Sequence, residues 1–402
     1  MRRATVVLIF GAIFVAELGW TGISPLLPSF RDRYALNDVS TGLIVSVASA
    51  GILLVSLPAS ALTRRFSVRT LTLCSLAALA LGNLGVGFSG SYATLLVGRA
   101  VFGVGLGTMW VTGTAWLHDA AGDGAPRALA LTTSVVGTAN LIGPSLAGSL
   151  GERYSLGAPF VMLGGLVLVL LAVLTVLPTP TGRAVDPGPP LREMLRAARG
   201  DVTMVSGLVL TVAVALMWMS TELLAPLRLA ERGFGASRIG LVFSAVSVVF
   251  VGASAITSAR AERYATIRTA AAWTAAFAAC VLIAVVGVTP APTIVFLLAM
   301  GLTTGVLVAM TYPLGVAGAA RSGFSVAVVG ALINLVWAVS GLIGPTVGGT
   351  AAELVDDRVW FLGLALCGFG AAAWIWRRRD AAPRPGASPW AGRPLLKRAP
   401  EP

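Results

Sequence analysis

Glu17 stands near the middle of the apolar run Ala4–Pro28, flanked by Val15-Ala16 and Leu18-Gly19-Trp20. A charge at that depth of a segment long enough to cross a bilayer is costly, and such acids are functional by default. The chemistry open to it is proton exchange and attraction of a cation. Dry surroundings favour a neutral carboxyl and wet ones the carboxylate, so a carboxyl that alternates between them takes up and releases a proton. Trp20, Thr21 and Ser24 recur with it at helical spacing, giving one polar and aromatic face on which an indole can stack a cation. The plainer reading is that Glu17 pairs with a neighbouring helix to fix packing.

Arg99 lies early in the fourth apolar run, with Gly103, Leu106 and Trp110 on its face. It reads equally as a structural arginine bonded to backbone carbonyls and as a functional cation. Glu222, one turn after Trp218 and one before Pro226, lies nearer the end of its run and is a weaker candidate than Glu17 for carrying a proton. Asp119, at the end of the fourth run, is the third. Asn140, Asn334 and Trp337 are residues that either contact a ligand or bridge helices. Met109, Met217 and Met219 beside tryptophans suit an adaptable apolar pocket, or simply fill a core. The expected proton-coupling set is therefore Glu17, Glu222 and Asp119, and the expected substrate cavity Glu17, Trp20, Ser24, Arg99, Trp110, Asn140, Trp218, Asn334 and Trp337.

Other chemistries lack their residues. His118, at a helix end, is the one histidine, so a histidine-based metal centre is excluded, and no Ser/His/Asp or metal-ligand cluster supports an enzyme. Cys74, Cys280 and Cys367 are odd in number and each sits inside an apolar run, which predicts small buried hydrophobes rather than disulfides. No Gly-x-x-x-x-Gly-Lys run is present, so an ion gradient rather than ATP is the expected energy source, and no cofactor is expected.

The elements that must hold these residues are membrane helices. The 402 residues are 56% hydrophobic and 11% charged, with a mean hydropathy of +0.86, beyond what a soluble globular chain sustains. Apolar runs of helical length predict spans at roughly 4–28, 40–61, 70–89, 92–117, 128–150, 157–178, 202–226, 238–258, 269–288, 292–316, 323–347 and 357–376. The short alternating segments of a β-barrel do not recur. Met1-Arg2-Arg3 opens an uncleaved first span, because the run after it is too long for a signal peptide and lacks a small-residue cleavage motif.

The longest hydrophilic interruption divides the chain into a bundle over 1–178, a linker over 179–201 and a second bundle over 202–376, with a disordered basic tail over 377–402. Placing the N-terminus inside puts 21 of the 29 basic residues on the cytoplasmic side and 7 outside, which predicts both termini in the cytoplasm of a cell with this chain in its plasma (inner) membrane. The net charge of +12 lies almost wholly in these short connections, which argues against nucleic acid as the partner.

The halves repeat. Trp20 and Trp218, Pro28 and Pro226, and Gly42-Leu43 and Gly240-Leu241 share one offset of 198 residues, and Leu141-Ile142-Gly143-Pro144 recurs 201 residues on as Leu342-Ile343-Gly344-Pro345. Two halves in the same orientation form a parallel repeat about an axis along the membrane normal. Gly103, Gly107, Gly137, Gly143 and Gly148 make small-residue faces for close helix packing, and Pro144 and Pro345 each remove a helix hydrogen bond and permit bending.

With these motifs the chain resembles the major facilitator superfamily, and within it the twelve-span drug:proton antiporter branch. Leu18-Gly19 followed by Pro25-Leu26-Leu27-Pro28 is similar to that branch's first-span signature. Leu96-Val97-Gly98-Arg99 through Gly103-Val104-Gly105-Leu106-Gly107 resembles its fourth-span motif, with Phe102 where glutamine is common. Gly137 through Gly143-Pro144 to Gly148 resembles the fifth-span antiporter motif, though its near copy at Gly344-Pro345-Thr346-Val347-Gly348-Gly349 reduces what it says about export. The loop after span two departs from the pattern: Arg64, Arg65 and Ser67 replace the aspartate, arginine and glycine, while the second half keeps an acid and base as Glu262-Arg263. The resemblance implies an all-α membrane protein of two pseudo-symmetric six-helix bundles, with a gating and hinge set of Arg64, Arg65, Gly143, Pro144, Glu262, Arg263, Gly344 and Pro345. Asp119 is available to pair with Arg64 or Arg65 in place of the missing loop aspartate.

These readings together predict a secondary transporter that expels small amphipathic or cationic compounds in exchange for protons by alternating access, acting as a monomer with the lipid bilayer as its surroundings. The fold leaves open a metabolite or sugar exporter or a proton symporter. A non-transporting membrane sensor is a third reading, against which stands the lack of a sizeable soluble domain.

Overall fold

The computed structural model describes residues 2–56, 65–176, 192, 196, 201–260, 266–287, 289–322, 324 and 326–378. All regular structure among the described residues is helical: α1 (Arg2–Thr21), α2 (Leu27–Tyr34), α3 (Asp38–Ser56), α4 (Val68–Gly87), α5 (Tyr92–Ala121), α6 (Ala125–Arg153), α7 (Ala158–Val176), α8 (Val202–Ala230), α9 (Ala236–Ser258), α10 (Ile267–Val286), α11 (Pro290–Ser322), α12 (Val326–Leu354) and α13 (Asp357–Arg377). With α1 and α2 joined as one, they make twelve segments long and apolar enough to cross a membrane, as the hydropathy of the sequence predicts. The spans outrun several of the apolar stretches. α5 continues through Ala121, where Gly122 at φ 56° ends it, and α8 runs to Ala230, a turn past the last residue of its apolar stretch.

Short polar residues start the helices where the backbone N–H groups lack partners. Ser67 accepts from the Thr70 amide, Ser91 and Thr94 form a reciprocal capping box, and Thr266 accepts from the Thr269 amide. Asp201 accepts from the amides of Thr203 at 2.8 Å and Met204 at 3.2 Å, and pairs with Arg321 through Nη2 at 2.8 Å. Burial alone would raise its pKa, but the bonds from Arg321 and from these amides prevail and hold it below the ordinary carboxylate value.

Two six-helix bundles result. In the first, α4 packs on α5 and α7, α3 on α5, and α1 on α6; in the second, α10 packs on α13, α9 on α11, and α8 on α11 and α12. Lipid gives helices no hydrophobic reason to associate, so close backbone approach matters. Gly103 shows this: a Cβ there would overlap the Ala48 carbonyl, so only glycine lets α3 and α5 meet at that level.

The bundles meet along two seams, α3 against α12 and α6 against α9. The sequence repeat reappears here in space. Gly42 lies on the carbonyl of Pro345, and its repeat partner Gly240 lies on the carbonyl of Pro144, each too close for a side chain between them. Among the described residues the hydrogen bonds between bundles lie away from the chain termini, in the far half and the middle. Asn37 Nδ2 donates to Glu353 Oε1 at 2.8 Å, and the Ser237 amide to Glu152 Oε2 at 2.8 Å. Thr346 Oγ1 donates to Ser46 Oγ at 2.8 Å, and Ser247 Oγ to the Asn140 carbonyl at 2.9 Å. At the same far end Ile23, Leu26, Leu27 and Phe30 share one core with Leu223, Leu224 and Leu227.

The cysteines correct the expectation of buried positions. Cys74 and Cys367 are exposed and Cys280 is partly exposed, all as free thiols, because each sits on the outward stripe of its helix, where apolar residues face lipid rather than core. The expected linker and tail lie outside the described residues apart from 192, 196, 201, 377 and 378, and so do Arg64, Glu262 and Arg263 of the expected gate.

Candidate functional site

The first span is broken where the sequence breaks it. Pro25 and Pro28 lack amide donors, so α1 ends at Thr21, a 3-10 turn covers Ser24–Leu26, and α2 begins at Leu27. Glu17 occupies the last full turn of α1, and its own carbonyl accepts from Thr21 Oγ1 at 3.0 Å. Gly19 faces Phe102 and Asn83 with no room for a side chain, which draws α1 onto α5. That approach lets Trp110 Nε1, 93 residues away, donate to Glu17 Oε1 at 2.9 Å. Glu17 is 7% exposed, and among the described residues no cation pairs with it.

Arg99 is 1% exposed. Its Nε donates to the Ile44 carbonyl at 3.0 Å, and its Cζ lies 5.1 Å from the centre of the Phe102 ring and 5.8 Å from that of Trp20. Both readings of this arginine meet here: one nitrogen is spent on a backbone carbonyl, while Nη2 has no hydrogen-bond partner. Glu222 is buried rather than near an interface, at 5% exposure, since α8 carries on for two turns beyond it. Its Oε1 accepts from Trp218 Nε1 at 3.0 Å and its Oε2 has no partner. Arg99 and Glu17 act on Glu222 by charge across the boundary between bundles, and the Trp20 indole N–H approaches it as a weaker donor than Trp218, without an ion pair between Arg99 and Glu222. Glu17, Trp20, Arg99, Trp110, Trp218 and Glu222 thus form one cluster of three buried charged residues and three half-buried tryptophans, to which the first bundle gives four residues and the second two.

The remaining expected residues are distributed around it. Ser24 is buried in the 3-10 turn. Asn140 holds Ser247 through its backbone carbonyl, while its side-chain Oδ1 is buried without a partner. Asn334 is exposed on α12, one turn before the half-buried Trp337. Gly143 packs on Thr21 and Leu18 of α1, and Gly344 on Leu216 and Ser220 of α8, so these glycines lie inside their own bundles while the prolines beside them face the other bundle. Asp119 is outside the cluster, at the terminus-side end of α5, with His118 Nδ1 3.7 Å from its Oδ1; among the described residues no ion pair joins it to Arg65.

Two clefts flank the cluster. One of about 230 Å³ lies on the terminus side of Trp110, lined by Trp110, Thr114, Leu129, Thr132, Thr133 and Val136. The other, of about 300 Å³, opens at the far rim, where Arg228 Nη2 donates to Asp357 Oδ1 at 2.7 Å and Arg228 Nη1 to the Ala284 carbonyl at 2.7 Å.

Four residues of note escaped the sequence reading. Arg228 looks like a loop cation but is buried against Asp357 and Phe361, and a pairing 129 residues apart leaves no local signal. Phe102, expected only as a departure from a motif, is a wall of the Arg99 site. Glu152 and Glu353 tie the far end together, and their separation of 201 equals that of the two Gly-Pro motifs, a signal the sequence did carry.

A twelve-helix bundle pair closed at one end over buried charges is the architecture of a membrane transporter. The family model of the major facilitator superfamily matches residues 9–345, and the chain belongs to that superfamily. No curated protein matches it. Among solved structures it is similar to a bacterial homolog of the human lysosomal transporter Spinster, inward-facing and occupied, at 13% identity and a TM-score of 0.76 over 95% of this chain and 97% of that one. The same homolog in its unoccupied state gives 13% identity and a TM-score of 0.73 over 94% and 95%. The nucleoside transporter NupG gives 12% and 0.73 over 93% and 98%. At these identities the likeness speaks for the fold. The chain is a multi-pass membrane protein with the fold of a small-molecule transporter.

Proposed function

We propose that the chain exports small amphipathic or cationic compounds in exchange for protons, by alternating access, with Glu17 as the coupling acid. One observation carries the reading: the carboxyl of Glu17 is buried halfway along the first span and, among the described residues, has a single side-chain hydrogen bond, from Trp110, and no cation to fix its charge. An acid held only by a neutral donor is free to change protonation state as its surroundings change from dry to wet. Trp110 also borders the cleft on the terminus side, so the indole that holds Glu17 meets open space there, which supports access to Glu17 from that side.

With both termini in the cytoplasm, as the basic residues favour, the sealed far end faces outside and the state is inward-facing. Loading at the cytoplasmic face, rocking about the α3–α12 and α6–α9 seams, and exchange of substrate for a proton at the outer face then complete a cycle in a monomer of the plasma membrane. Asp119 and Arg65 stand on the side that closes in the other state. The test is a growth-inhibition panel of toxic compounds on cells with the protein, cells without it and cells carrying Glu17→Gln. Protection that needs the unaltered protein supports export. Protection by neither form against any compound, or equal protection by both, contradicts it and points to a metabolite or sugar carrier, or to coupling elsewhere.

A further inference from the structure

Two buried charges, one from each bundle, are each left a hydrogen bond short. Arg99 spends Nε on the Ile44 carbonyl and leaves Nη2 unpartnered; Glu222 spends Oε1 on Trp218 and leaves Oε2 unpartnered. Trp20 is near both, the guanidinium over its ring and its indole N–H approaching the Glu222 carboxyl without closing a full hydrogen bond to Oε2. Buried polar atoms are nearly always satisfied, so two orphans of opposite charge, on different bundles yet near enough for the guanidinium to act on the carboxyl, call for an explanation. A direct ion pair would satisfy both, and the structure does not make one.

We propose that Arg99 Nη2 and Glu222 Oε2 together receive the substrate, Arg99 taking a carboxylate or other anionic oxygen and Glu222 taking an ammonium, so that the preferred cargo is a small amphipathic zwitterion. The assignment rests on the reading of this cluster as the transport site. Charge balance supports it. Arg99 and Glu222 set one cation and one acid on the two bundles, each with a polar atom to spare. A simple lipophilic cation meets Glu222 but faces the uncompensated guanidinium of Arg99 in a low dielectric, and a simple anion meets the reverse. A zwitterion satisfies both orphans at once. Its apolar part has Trp20 on one side and, on the other, Trp218, whose ring leans on Phe250 with centroids 5.5 Å apart. Because the two charges belong to different bundles, such a ligand also bridges them.

The test compares matched probes on the purified, unaltered full chain, read by tryptophan fluorescence and by equilibrium dialysis. One aryl set is phenethylamine, 3-phenylpropionate and phenylalanine; one alkyl set is decyltrimethylammonium, decanoate and decyl betaine. In at least one set the zwitterion should bind about ten-fold tighter than both singly charged partners, a difference of one strong polar contact. Arg99→Gln should bring the zwitterion down to the level of the amine while the amine binds no worse, and Glu222→Gln should bring it down to the level of the acid. Retained binding of the singly charged probe shows that each variant is folded. Cations binding as tightly as zwitterions in both sets, no binding by either zwitterion, or an Arg99→Gln protein that keeps the preference overturns the proposal. The failures are distinguishable. Cations that bind with proton release at Glu17 leave the export reading standing without this inference, and zwitterions that bind without proton release do the opposite.

Discussion

Gly42 lies so close to the carbonyl of Pro345 that no side chain fits between them. Its repeat partner Gly240 stands in the same relation to Pro144, so each half of the chain supplies the glycine for one seam and the proline for the other. Inside a helix, proline leaves the carbonyl a turn before it without a donor and gives the backbone a bend, and glycine opposite admits the bent helix. The seam at the far end therefore depends on two small residues. Gly240→Val should hold the α6–α9 seam apart and reduce transport at least ten-fold with normal insertion. The check is a cysteine pair at Ser149 and Ser237, whose hydroxyls lie 3.3 Å apart: it should oxidise to a disulfide readily in the parent and poorly with Gly240→Val.

Glu152 and Glu353 each reach from the C-terminal end of a helix in one bundle to the N-terminal end of a helix in the other, where the helix dipole favours a negative charge. Asn37, which Glu353 grips, itself caps α3 through the Ser40 amide at 2.8 Å. Each exposed contact of this kind is worth about 0.3–1 kcal/mol. Glu152→Gln with Glu353→Gln should therefore weaken the closed far end by roughly 0.6–2 kcal/mol, a shift of about three- to thirty-fold in population. The measurement is the labelling rate of Ser46→Cys, buried beneath Thr346, by a membrane-impermeant thiol reagent in a chain without the native cysteines. A rate equal to that of the parent contradicts the role given to these carboxylates.

Much of this was legible in the sequence because membrane helices are written in composition. Each span is a run of apolar residues, and the repeat of Gly42, Gly240, Pro144 and Pro345 by itself implies a two-fold arrangement. What the pattern did not show is which copy meets which. The crossing of Gly42 to Pro345 and Gly240 to Pro144 is a property of the assembled pair. The buried cluster was half legible: Glu17 and Arg99 stand out as charges in apolar runs, but the partner of Glu17 is an indole 93 residues away. Glu222 looked peripheral because hydropathy ends a span where apolar residues end, whereas α8 continues through Arg228, whose charge is met by Asp357. The exposed Cys74 and Cys367 show the same physics in reverse. In a membrane the apolar stripe of a helix faces lipid as readily as core.

Asp201 starts α8 and ties it to Arg321 at the end of α11. Removing the cap with Asp201→Ala should cost about 1 kcal/mol of stability in detergent, read as a lower thermal midpoint. The pH dependence follows from the lowered pKa. The contribution of Asp201 is full above the ordinary carboxylate range and is lost as the pH falls below that range through the folded value, so parent and variant should converge in strongly acidic buffer and differ at neutral pH. A gap that persists unchanged into acid contradicts the assignment.

Trp110→Phe keeps the ring and removes the N–H that holds Glu17. A hydrogen bond to a charged group contributes about 1.5–3 kcal/mol, so misplacing the acid should slow transport by roughly ten-fold or more at equal protein levels. An unchanged rate in vesicles means that the bond does not position Glu17 for its work.

Glu17 as the coupling acid is tested most directly by substrate-induced proton release from purified protein in weakly buffered detergent solution, with the compounds that the growth panel picks out. The parent should release about one proton for each substrate bound near neutral pH, as one titrating carboxyl exchanges its proton for the ligand. Glu17→Gln keeps shape and much of the hydrogen bonding, and should bind without releasing protons and without dependence on pH, while Glu17→Asp retains part of the release. If Glu17→Gln releases protons as the parent does, Glu17 is not the coupling acid.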